Sequence, residues 1–425
     1  MRCCGGDADR RDFATILAAA KVAAFSFSRR DVEGRLLGRS PLIAGMDGEI
    51  YLGRANIPEQ AASESDRLFA RPAEFATMPA AVSALGCWRD WQRDEITPHD
   101  GLVGSAHPRL RKVFDSAMSA TSLKMLLRDP IRFVWRYALG WKQPEDVDEP
   151  LTVDPLGFGN LVHAVLRGAV ERLEHGGGLA SAGAATLEEA IRDALHEIAA
   201  EWEREQPVPP AVIWRGTRDR VEAMSLAALR YPLDPMPGQT SWTEIPFGGQ
   251  REVERNNLPW EVAQAVEIPG TGIRIQGQID RLDLAGDRKH ARVIDYKTGR
   301  LNKDMADVVI KGGSELQRCL YAFAVKTLIG IGVKVEASLL YPGADEGEQA
   351  LFPLQGVDAV LARLASALAI ARKNMIEGIL APGIDAKDQW NDFAFALPAS
   401  LNYLARKLEL ARERLGEGAN VWAEP

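Results

Sequence analysis

The chain has 425 residues, of which 46% are apolar, and a formal net charge of −8 at pH 7. This length and composition indicate a globular protein with two or three packed units, and the net charge argues against a protein that coats nucleic acid indiscriminately. The four cysteines are too scattered for a zinc site and fit a reducing cytosol: Cys3, Cys4, Cys87 and Cys319.

The sequence gives no sign of a membrane-spanning or secretory segment. No stretch approaches the roughly 18 consecutive apolar residues of a membrane span. The apolar run from Phe13 to Phe25 is interrupted by Lys21 and preceded by acidic residues, which disfavours a signal segment. We therefore expect a cytoplasmic protein with no membrane partner.

Helical patterns dominate the first half of the chain. Residues 1–110 indicate short helices joined by turns and loops. From Ser119 to Leu139 the pattern is helical but broken at Pro130, which predicts two short helices that meet at an angle. A longer helix is predicted from Gly159 to Glu174, where three glycines end it.

A second long helix should follow an Ala/Gly/Ser-rich link. Thr186 and Glu189 have the spacing of a capping box, which predicts that this helix begins there and continues to about Glu205. The Pro-rich "QPVPPAV" then closes the helical half of the chain.

From about Trp260 the hydrophobic period changes to two, which is typical of strands. Three consecutive strands are predicted in "EVAQAVEI", "GIRIQGQIDRLDL" and "ARVIDYKTG". They are followed by a helix at 315–329, strands at "KVEASLLY" and "QALFPL", and a helix at 357–378. This order predicts an α/β protein with a mixed sheet and helices on its faces. Because no GxxxxGK[ST] phosphate loop occurs, we expect no ATP.

A basic segment precedes the long helices. Residues 108–142 contain eight basic residues against two acids, a net charge of +6, and interleaved aromatic side chains. The simplest interpretation is a solvated helix whose aromatic residues face the core. The alternative is a surface that binds the phosphates of a nucleic acid.

An acid and a lysine occur together on the strand that contains "VIDYKTGR". Strand alternation places Asp295 and Lys297 on one face, and an adjacent antiparallel strand would bring Asp280 close to them. Two acids that share a pocket repel each other unless a cation neutralises them, and carboxylate oxygens favour Mg²⁺ or Mn²⁺. A lysine on the same face can orient or deprotonate a metal-bound water, or offset charge on a phosphorane-like transition state.

Four short segments in this order resemble the PD-(D/E)XK nuclease superfamily, and within it the RecB/AddB branch. They are "GNLVHAVL" (159–166), "GQIDRLDL" (277–284), "DYKTG" (295–299) and "QRCLY" (317–321), within a likeness that extends from about Ser119 to Pro382. The resemblance implies a restriction-endonuclease-like core with added helices, and a set of roles for individual residues. It implies metal ligands at His163, Asp280, Asp295 and the backbone carbonyl of Tyr296, and catalytic roles for Asp280, Asp295, Lys297, Gln317 and Tyr321. The resemblance also implies a DNA substrate, and we expect DNA contacts from Lys124, Arg128, Arg132, Arg136 and Arg300.

The chain departs from the family pattern in its cysteines. Many AddB-type members have a cysteine where this chain has Asp129, and a cysteine cluster after the last helix, but no cysteine follows Cys319 here. We therefore expect no iron–sulfur cluster, and we expect packing of the C-terminal segment against the Ser119–Leu139 helices to take over its stabilising role. The residues predicted to do so are Trp390, Phe393, Phe395 and a helix at 400–416.

The resemblance also suggests how the chain is divided. Residues 1–110 faintly resemble the helicase-like region that precedes the nuclease in AddB proteins. Residues 111–255 would form a helical region with the histidine motif, 256–382 the nuclease core, and 383–425 a helical tail that packs on the core.

Each predicted site residue has a structural alternative. His163 could be a satisfied histidine on an amphipathic helix, and Asp295 with Lys297 could be a surface ion pair. Gln317 and Tyr321, one helical turn apart, could simply cap the edge of the sheet. Asp283 lies an odd number of residues from Asp280, so we expect it on the opposite face of the strand.

Two functions of different classes fit these features. The first is an active Mg²⁺- or Mn²⁺-dependent DNA nuclease that uses in-line attack of a metal-activated water, such as an exonuclease of DNA repair, recombination or phage defence with a separate helicase partner. The second is a catalytically silent DNA-binding or scaffolding subunit of a helicase–nuclease complex. The first is favoured because each predicted ligand, and the lysine, is present in the sequence.

Overall fold

A computed structural model describes residues 4–29, 35–46, 71–104, 107–142, 151–249, 257–301, 308–343, 349–388, 391–398 and 401–424. The chain divides into two compact units, Met1–Ser83 and Ala84–Pro425. The described residues before position 100 include the helices α1 (Cys4–Ala19), α2 (Pro72–Phe75) and α3 (Pro79–Trp91). The predicted domain boundaries at 110, 255 and 382 stay a prediction.

The basic segment forms short helices, as its broken pattern predicts. They are α4 (Pro108–Lys112), α5 (Ala120–Arg128) and α6 (Pro130–Phe133), and a π-helical turn at Val134–Ala138 extends the last of them. Asp129 leaves the helical conformation between α5 and α6 (φ −154°, ψ 78°) because the residue before a proline is disfavoured in a helix. The predicted break at Pro130 is thus confirmed.

Three longer helices follow and share one apolar cluster. They are α7 (Pro155–His175), α8 (Ala184–Glu205) and α9 (Ala211–Arg230). The start of α7 is earlier than predicted because Asp154 caps the helix, accepting a hydrogen bond from the Gly157 amide at 2.7 Å. The predicted capping box is wrong, since α8 begins after Gly183 without a side-chain cap. Helix α9, directly after the Pro-rich stretch, was not predicted.

The core is a five-stranded mixed sheet with helices on its faces, which confirms the predicted fold class. Its strands are β1 (Thr240–Phe247), β4 (Gly277–Leu284), β5 (His290–Tyr296), β6 (Lys334–Tyr341) and β7 (Ala350–Pro353). They lie in the order β1-β4-β5-β6-β7. In this sheet β5 and β6 are parallel and the other neighbouring pairs are antiparallel.

A separate hairpin, β2 (Val266–Ile268) and β3 (Ile273–Ile275), precedes β4. The second predicted strand is therefore two strands, divided at Gln276. At this point the chain pairs elsewhere, because the Gln276 amide donates to the Met118 carbonyl at 3.0 Å. Strand β1, at the edge of the sheet, was not predicted.

Helices cover both faces of the sheet. Apolar residues of α7, α8 and α9 pack with Ile294, Tyr296 and Leu340 on one face. On the other face lie α10 (Gln317–Ile329) and α11 (Val357–Ile376), which form a second core with Leu282 and Val293. The last helix is α12 (Leu401–Leu415). No described helix is long and apolar enough to cross a membrane.

Ion pairs join the α5–α6 region to the segment that follows α11. Arg128 pairs with Asp385 at 2.6 Å, and Asp392 pairs with both Arg132 and Arg136 at 2.6 and 2.7 Å. These contacts connect parts of the chain more than 250 residues apart, since Arg128 and Asp385 are separated by 257 residues. We call this set the ionic clip.

Aromatic packing reinforces the ionic clip. Phe393 is fully buried, and its ring lies 6.0 Å from that of Trp135 and 6.5 Å from that of Trp141. The predicted packing of Phe393 is therefore confirmed, whereas Phe395 is 72% exposed and the prediction for it is wrong. Trp390 lies outside the described residues.

The ionic clip predicts a loss of stability when Asp392 is neutralised. Asp392→Asn leaves Arg132 and Arg136 without their charged partner, so we expect the free energy of unfolding to fall by about 2 kcal/mol. Urea denaturation measures this change. The matched control is Asp219→Asn, which alters an exposed acid on α9 and should have little effect. Equal stabilities of the two variants would contradict a stabilising role for the clip.

Candidate metal centre

Three side chains from three different elements meet beside the β1–β4 strand pair. His163 on α7 places its Nδ1 atom 3.1 Å from Glu244 Oε1 and 3.6 Å from Asp280 Oδ2. One ligand atom from each of these residues lies within 4.8 Å of the other two. A nitrogen and two carboxylates at this spacing can hold a divalent cation.

Glu244 is the member of this cluster that the sequence analysis missed. The β1–β4 register pairs Thr243 with Arg281 and Ile245 with Ile279, so Glu244 lies opposite Asp280. Its backbone has a positive φ of 49°, which is uncommon for a residue with a side chain and concentrates at functional sites. The alternating β-branched, aromatic and apolar residues of "TSWTEIPF" would have indicated a strand and drawn attention to its acid.

Asp280 and Asp295 lie on adjacent antiparallel strands, as predicted. Asp280 Oδ2 accepts a hydrogen bond from the Tyr296 amide at 2.8 Å, which ties β4 to the end of β5. Burial and the neighbouring charge of Asp295 raise the pKa of Asp280. The two carboxylates therefore require a nearby positive charge to stay ionised together.

Asp295 is the most deeply buried acid of the site. Its side chain is 1% exposed, and its Oδ1 atom accepts no hydrogen bond from a described residue. Its Oδ2 atom is engaged by the Lys297 ammonium, whose Nζ atom lies 2.5 Å away. A buried carboxylate oxygen without a donor is costly unless a cation binds it, so the donor set of this site fits Mg²⁺ or Mn²⁺.

Lys297 is held by a chain of polar contacts from α10. Its Nζ atom donates to Gln317 Oε1 at 2.7 Å, and Gln317 Nε2 lies 3.4 Å from the Tyr321 hydroxyl. Burial alone would lower the pKa of Lys297, but the charge of Asp295 outweighs it and raises the pKa. The ammonium therefore stays charged at neutral pH, which favours stabilisation of negative charge over proton abstraction.

Close packing holds Tyr321 in this arrangement. A Cβ atom at Gly277, the first residue of β4, would lie 2.9 Å from the Phe247 ring and 3.1 Å from the Tyr321 ring. Glycine thus allows the Phe247 and Tyr321 rings to meet edge to face, 5.7 Å apart. Gln317 and Tyr321, predicted to lie one helical turn apart on one face, form a chain of polar contacts that ends at Lys297.

The opposite face of β4 holds a separate charge cluster. Arg281 binds Asp283 through two contacts of 2.7 and 2.8 Å, and Arg292 lies 3.6 Å from Asp283. Asp283 is thus engaged away from the metal cluster, as its odd spacing from Asp280 predicted. Tyr296 also lies on this face, with its ring 6.1 Å from that of His163. The role of its backbone carbonyl as a ligand stays a prediction.

A cleft of about 440 Å³ opens onto the metal cluster. His163, Glu244 and Lys297 line it, together with α7 residues one turn away and the Thr298–Gly299 turn. Its volume lies in the range of small-molecule and nucleotide sites. Gly159 lies against this turn, since a Cβ atom there would be 3.3 Å from Thr298 Oγ1.

The residues predicted to contact DNA have different environments. Arg128, Arg132 and Arg136 take part in the ionic clip, which gives them a structural role. Arg300 is exposed directly after the turn that lines the cleft, and Lys124 is half-buried. For all five residues, contact with DNA stays a prediction.

Comparisons with known proteins relate this chain to a family of nucleases. The sequence profile of the PD-(D/E)XK nuclease superfamily matches residues 117–392, more than half of the chain. An ATP-dependent helicase/deoxyribonuclease subunit from Symbiobacterium thermophilum is 29% identical over 280 residues, which are 62% of this chain and 22% of that protein. The protein of the same name from Moorella thermoacetica is 27% identical over 341 residues, 70% of this chain and 27% of that one.

The chain thus spans about a quarter of the length of these relatives. Among solved structures, one described as "Crystal structure of SSO0001" aligns with 69% of this chain and 96% of its own, at 14% identity and a TM-score of 0.27.

The geometry predicts that Glu244 contributes to cation binding. Glu244→Gln keeps the size of the side chain but removes its charge, so we expect the affinity for Mn²⁺ to fall at least about tenfold. Isothermal titration calorimetry measures this affinity. Glu267→Gln, a change of an exposed acid on β2, is the matched control and should bind Mn²⁺ like the wild type. An unchanged affinity in Glu244→Gln would exclude it from the site.

Cation binding should also depend on pH. Burial alone would lower the pKa of His163, but the hydrogen bond with Glu244 and the charge of Asp280 raise it to about 9. A cation binds neutral imidazole, so a proton must leave, and the Mn²⁺ affinity should increase from pH 6.5 to 8.5 by up to about tenfold per pH unit for each proton released. In His163→Asn this dependence should be flatter. An affinity independent of pH in the wild-type protein would contradict ligation by His163.

Proposed function

The chain belongs to the PD-(D/E)XK nuclease superfamily, and we propose that it is a metal-dependent deoxyribonuclease that hydrolyses phosphodiester bonds by in-line attack of water. The observation that carries this proposal is the buried carboxylate of Asp295, whose Oδ1 atom has no hydrogen-bond donor among the described residues, beside Lys297 at a cleft that also exposes His163 and Glu244. Burying a cluster of acids lowers the stability of a core, so such a cluster indicates a functional site.

In this proposal one set of residues binds the cation, and Lys297 stabilises negative charge on the phosphate. Asp280 and Asp295, with His163 and Glu244, would hold the cation and fix its position against the cleft. A bound Mg²⁺ or Mn²⁺ would lower the pKa of a water molecule and neutralise charge on the phosphodiester. The cleft would admit the strand so that one phosphate reaches the cluster.

Lys297 would act on the negative charge that develops on the phosphate. The Lys297 ammonium donates a hydrogen bond to Gln317, and Gln317 donates one to the Tyr321 hydroxyl. The positive charge is therefore positioned before substrate binds. In this role Gln317 and Tyr321 are positioning residues. The complete set of ligands and the ordered lysine argue against the alternative of a catalytically silent scaffolding subunit.

DNA as substrate and a separate helicase as partner are extensions of the same proposal. Both relatives carry the name of a helicase/deoxyribonuclease subunit, and this chain matches about a quarter of each. A nuclease that works beside a separate motor would act in DNA repair, recombination or defence against phage. It would need Mg²⁺ or Mn²⁺ but neither ATP nor an iron–sulfur cluster of its own.

Substitution at the acids and at the lysine should separate binding from chemistry. Asp280→Ala and Asp295→Ala should abolish cleavage because each removes a metal ligand, and Lys297→Ala should abolish chemistry but leave cation and DNA binding largely intact. The measurement is incubation with end-labelled linear DNA and covalently closed circular DNA, in Mg²⁺, Mn²⁺ or EDTA. Cleavage of the linear substrate alone would identify an exonuclease.

The control is Asp287→Asn, an exposed acid in the turn between β4 and β5, which should cleave like the wild-type protein. Full Mg²⁺-dependent turnover by purified Asp295→Ala would contradict the assignment of Asp295 as a metal ligand required for cleavage. Metal binding by the wild-type protein without cleavage of any DNA or RNA substrate would instead support the scaffolding alternative.

A further inference from the structure

A second cleft, of about 520 Å³, lies between α4, the loop before α5 and the end of the π-helical turn. Its volume is larger than that of the cleft at the metal cluster, and the two share no lining residue. The residues that line it include two cations, three serines, a tyrosine and a glutamine: Arg109, Lys112, Ser116, Ser119, Ser122, Tyr137 and Gln276. We call this feature the α4 cleft.

The charge of the α4 cleft is positive. Arg109 and Lys112 are exposed, and within the described part of the chain neither side chain forms an ion pair. No carboxylate lies among the described residues that line the cleft. This sets the two cations apart from Arg128, Arg132 and Arg136, whose charges are engaged in the ionic clip.

The wall of the α4 cleft combines a π surface with hydrogen-bonding groups. Tyr137 is 36% exposed, and its ring is supported from behind by Phe133, whose ring centroid is 5.1 Å away. Ser119 and Gln276 add polar side chains at the cleft wall. Two cations beside an aromatic face are the combination that binds the backbone and the stacked bases of a single strand.

The position of the α4 cleft suits a strand that also reaches the metal cluster. Gln276 lines the cleft and directly precedes β4, and Asp280 follows it by four residues. At about 3.3 Å per residue this path is about 13 Å long. A stacked strand rises about 3.4 Å per nucleotide, so the edge of the α4 cleft at Gln276 is about four nucleotides from Asp280. Gln278, exposed on β4 between them, lies on the same face as Asp280.

We propose that the α4 cleft binds single-stranded DNA about four nucleotides from the phosphate that is cleaved, with Arg109 and Lys112 on phosphates and Tyr137 stacked on a base. The four-nucleotide spacing to a cleaved phosphate rests on the proposed nuclease function. Binding of the strand in the α4 cleft does not require cleavage. The cleft holds the strand in register, and the metal cluster acts on a phosphate farther along it.

Binding is tested by fluorescence anisotropy with labelled dT12 in EDTA, where no cleavage occurs. In the double variant Arg109→Gln/Lys112→Gln, affinity should fall at least tenfold at low salt. The slope of log K against log salt should become shallower by about 1.4, because each single-strand phosphate contact contributes about 0.7. The matched control, Arg192→Gln/Arg204→Gln, removes two exposed cations of α8 that pair with no described acid, and should leave both quantities unchanged.

Stacking is tested separately with an abasic 12-mer. Tyr137→Leu should weaken binding of dT12 about tenfold but leave binding of the abasic strand unchanged. Thermal unfolding checks that the variant is folded, because Tyr137 also packs on Phe133. Equal loss of both probes would overturn the stacking part of the proposal.

The outcomes separate the α4 cleft from the nuclease proposal. Unchanged affinity and salt slope in the double variant, or equal changes in the control, would overturn the cleft proposal whether or not the protein cleaves DNA. Weaker binding in the double variant, together with a wild-type protein that cleaves nothing, would uphold the cleft and reject the nuclease. Equal loss of affinity for rU12 and dT12 would extend the ligand to single-stranded RNA.

Discussion

Repulsion between the buried carboxylates of Asp280 and Asp295 is the constraint on which the rest of the site depends. Asp295 is 1% exposed, and its Oδ1 atom has no hydrogen-bond donor among the described residues, so its negative charge must be balanced by nearby positive charge. Lys297 supplies one such charge at 2.5 Å, and protonated His163 supplies another near Asp280. Helix α7 brings the histidine and α10 brings the glutamine that holds the lysine. Both helices therefore serve the same electrostatic requirement, which a divalent cation would satisfy when it binds.

The basic segment at residues 108–142 divides into two parts with different environments. Its later arginines form the ionic clip with the segment after α11, where the sequence resemblance implies an iron–sulfur staple in cysteine-bearing members of the family. Asp129, at the position of the missing cysteine, accepts a hydrogen bond from the Gly383 amide at 3.2 Å, so the same two parts of the chain remain joined. Burial raises the pKa of this carboxyl to about 7. The cations earlier in the segment, at α4, remain available for an anionic partner.

Much of the site could be predicted from the sequence, because its geometry follows local periodicity. Strand alternation alone places Asp295 and Lys297 on one face, and a one-turn spacing places Gln317 and Tyr321 on one face of a helix. Glu244 could not be placed in this way, since its strand pairs with β4 across more than 30 residues and no local pattern links the two acids. The partners of the basic residues could not be predicted either, because Arg128 pairs with Asp385, which lies 257 residues further along the chain. Local rules also failed at Gln276, where pairing with Met118 interrupts a strand that the hydrophobic pattern predicts to be continuous.

One divalent cation should bind between α7 and the β1–β4–β5 strands. The most direct test is a crystal structure of the protein soaked in Mn²⁺, with anomalous diffraction measured at the manganese absorption edge. We expect an anomalous peak bordered by His163, Glu244, Asp280 and Asp295, with Lys297 still in contact with Gln317. The absence of a peak at this position, with Mn²⁺ bound elsewhere on the chain, would contradict it.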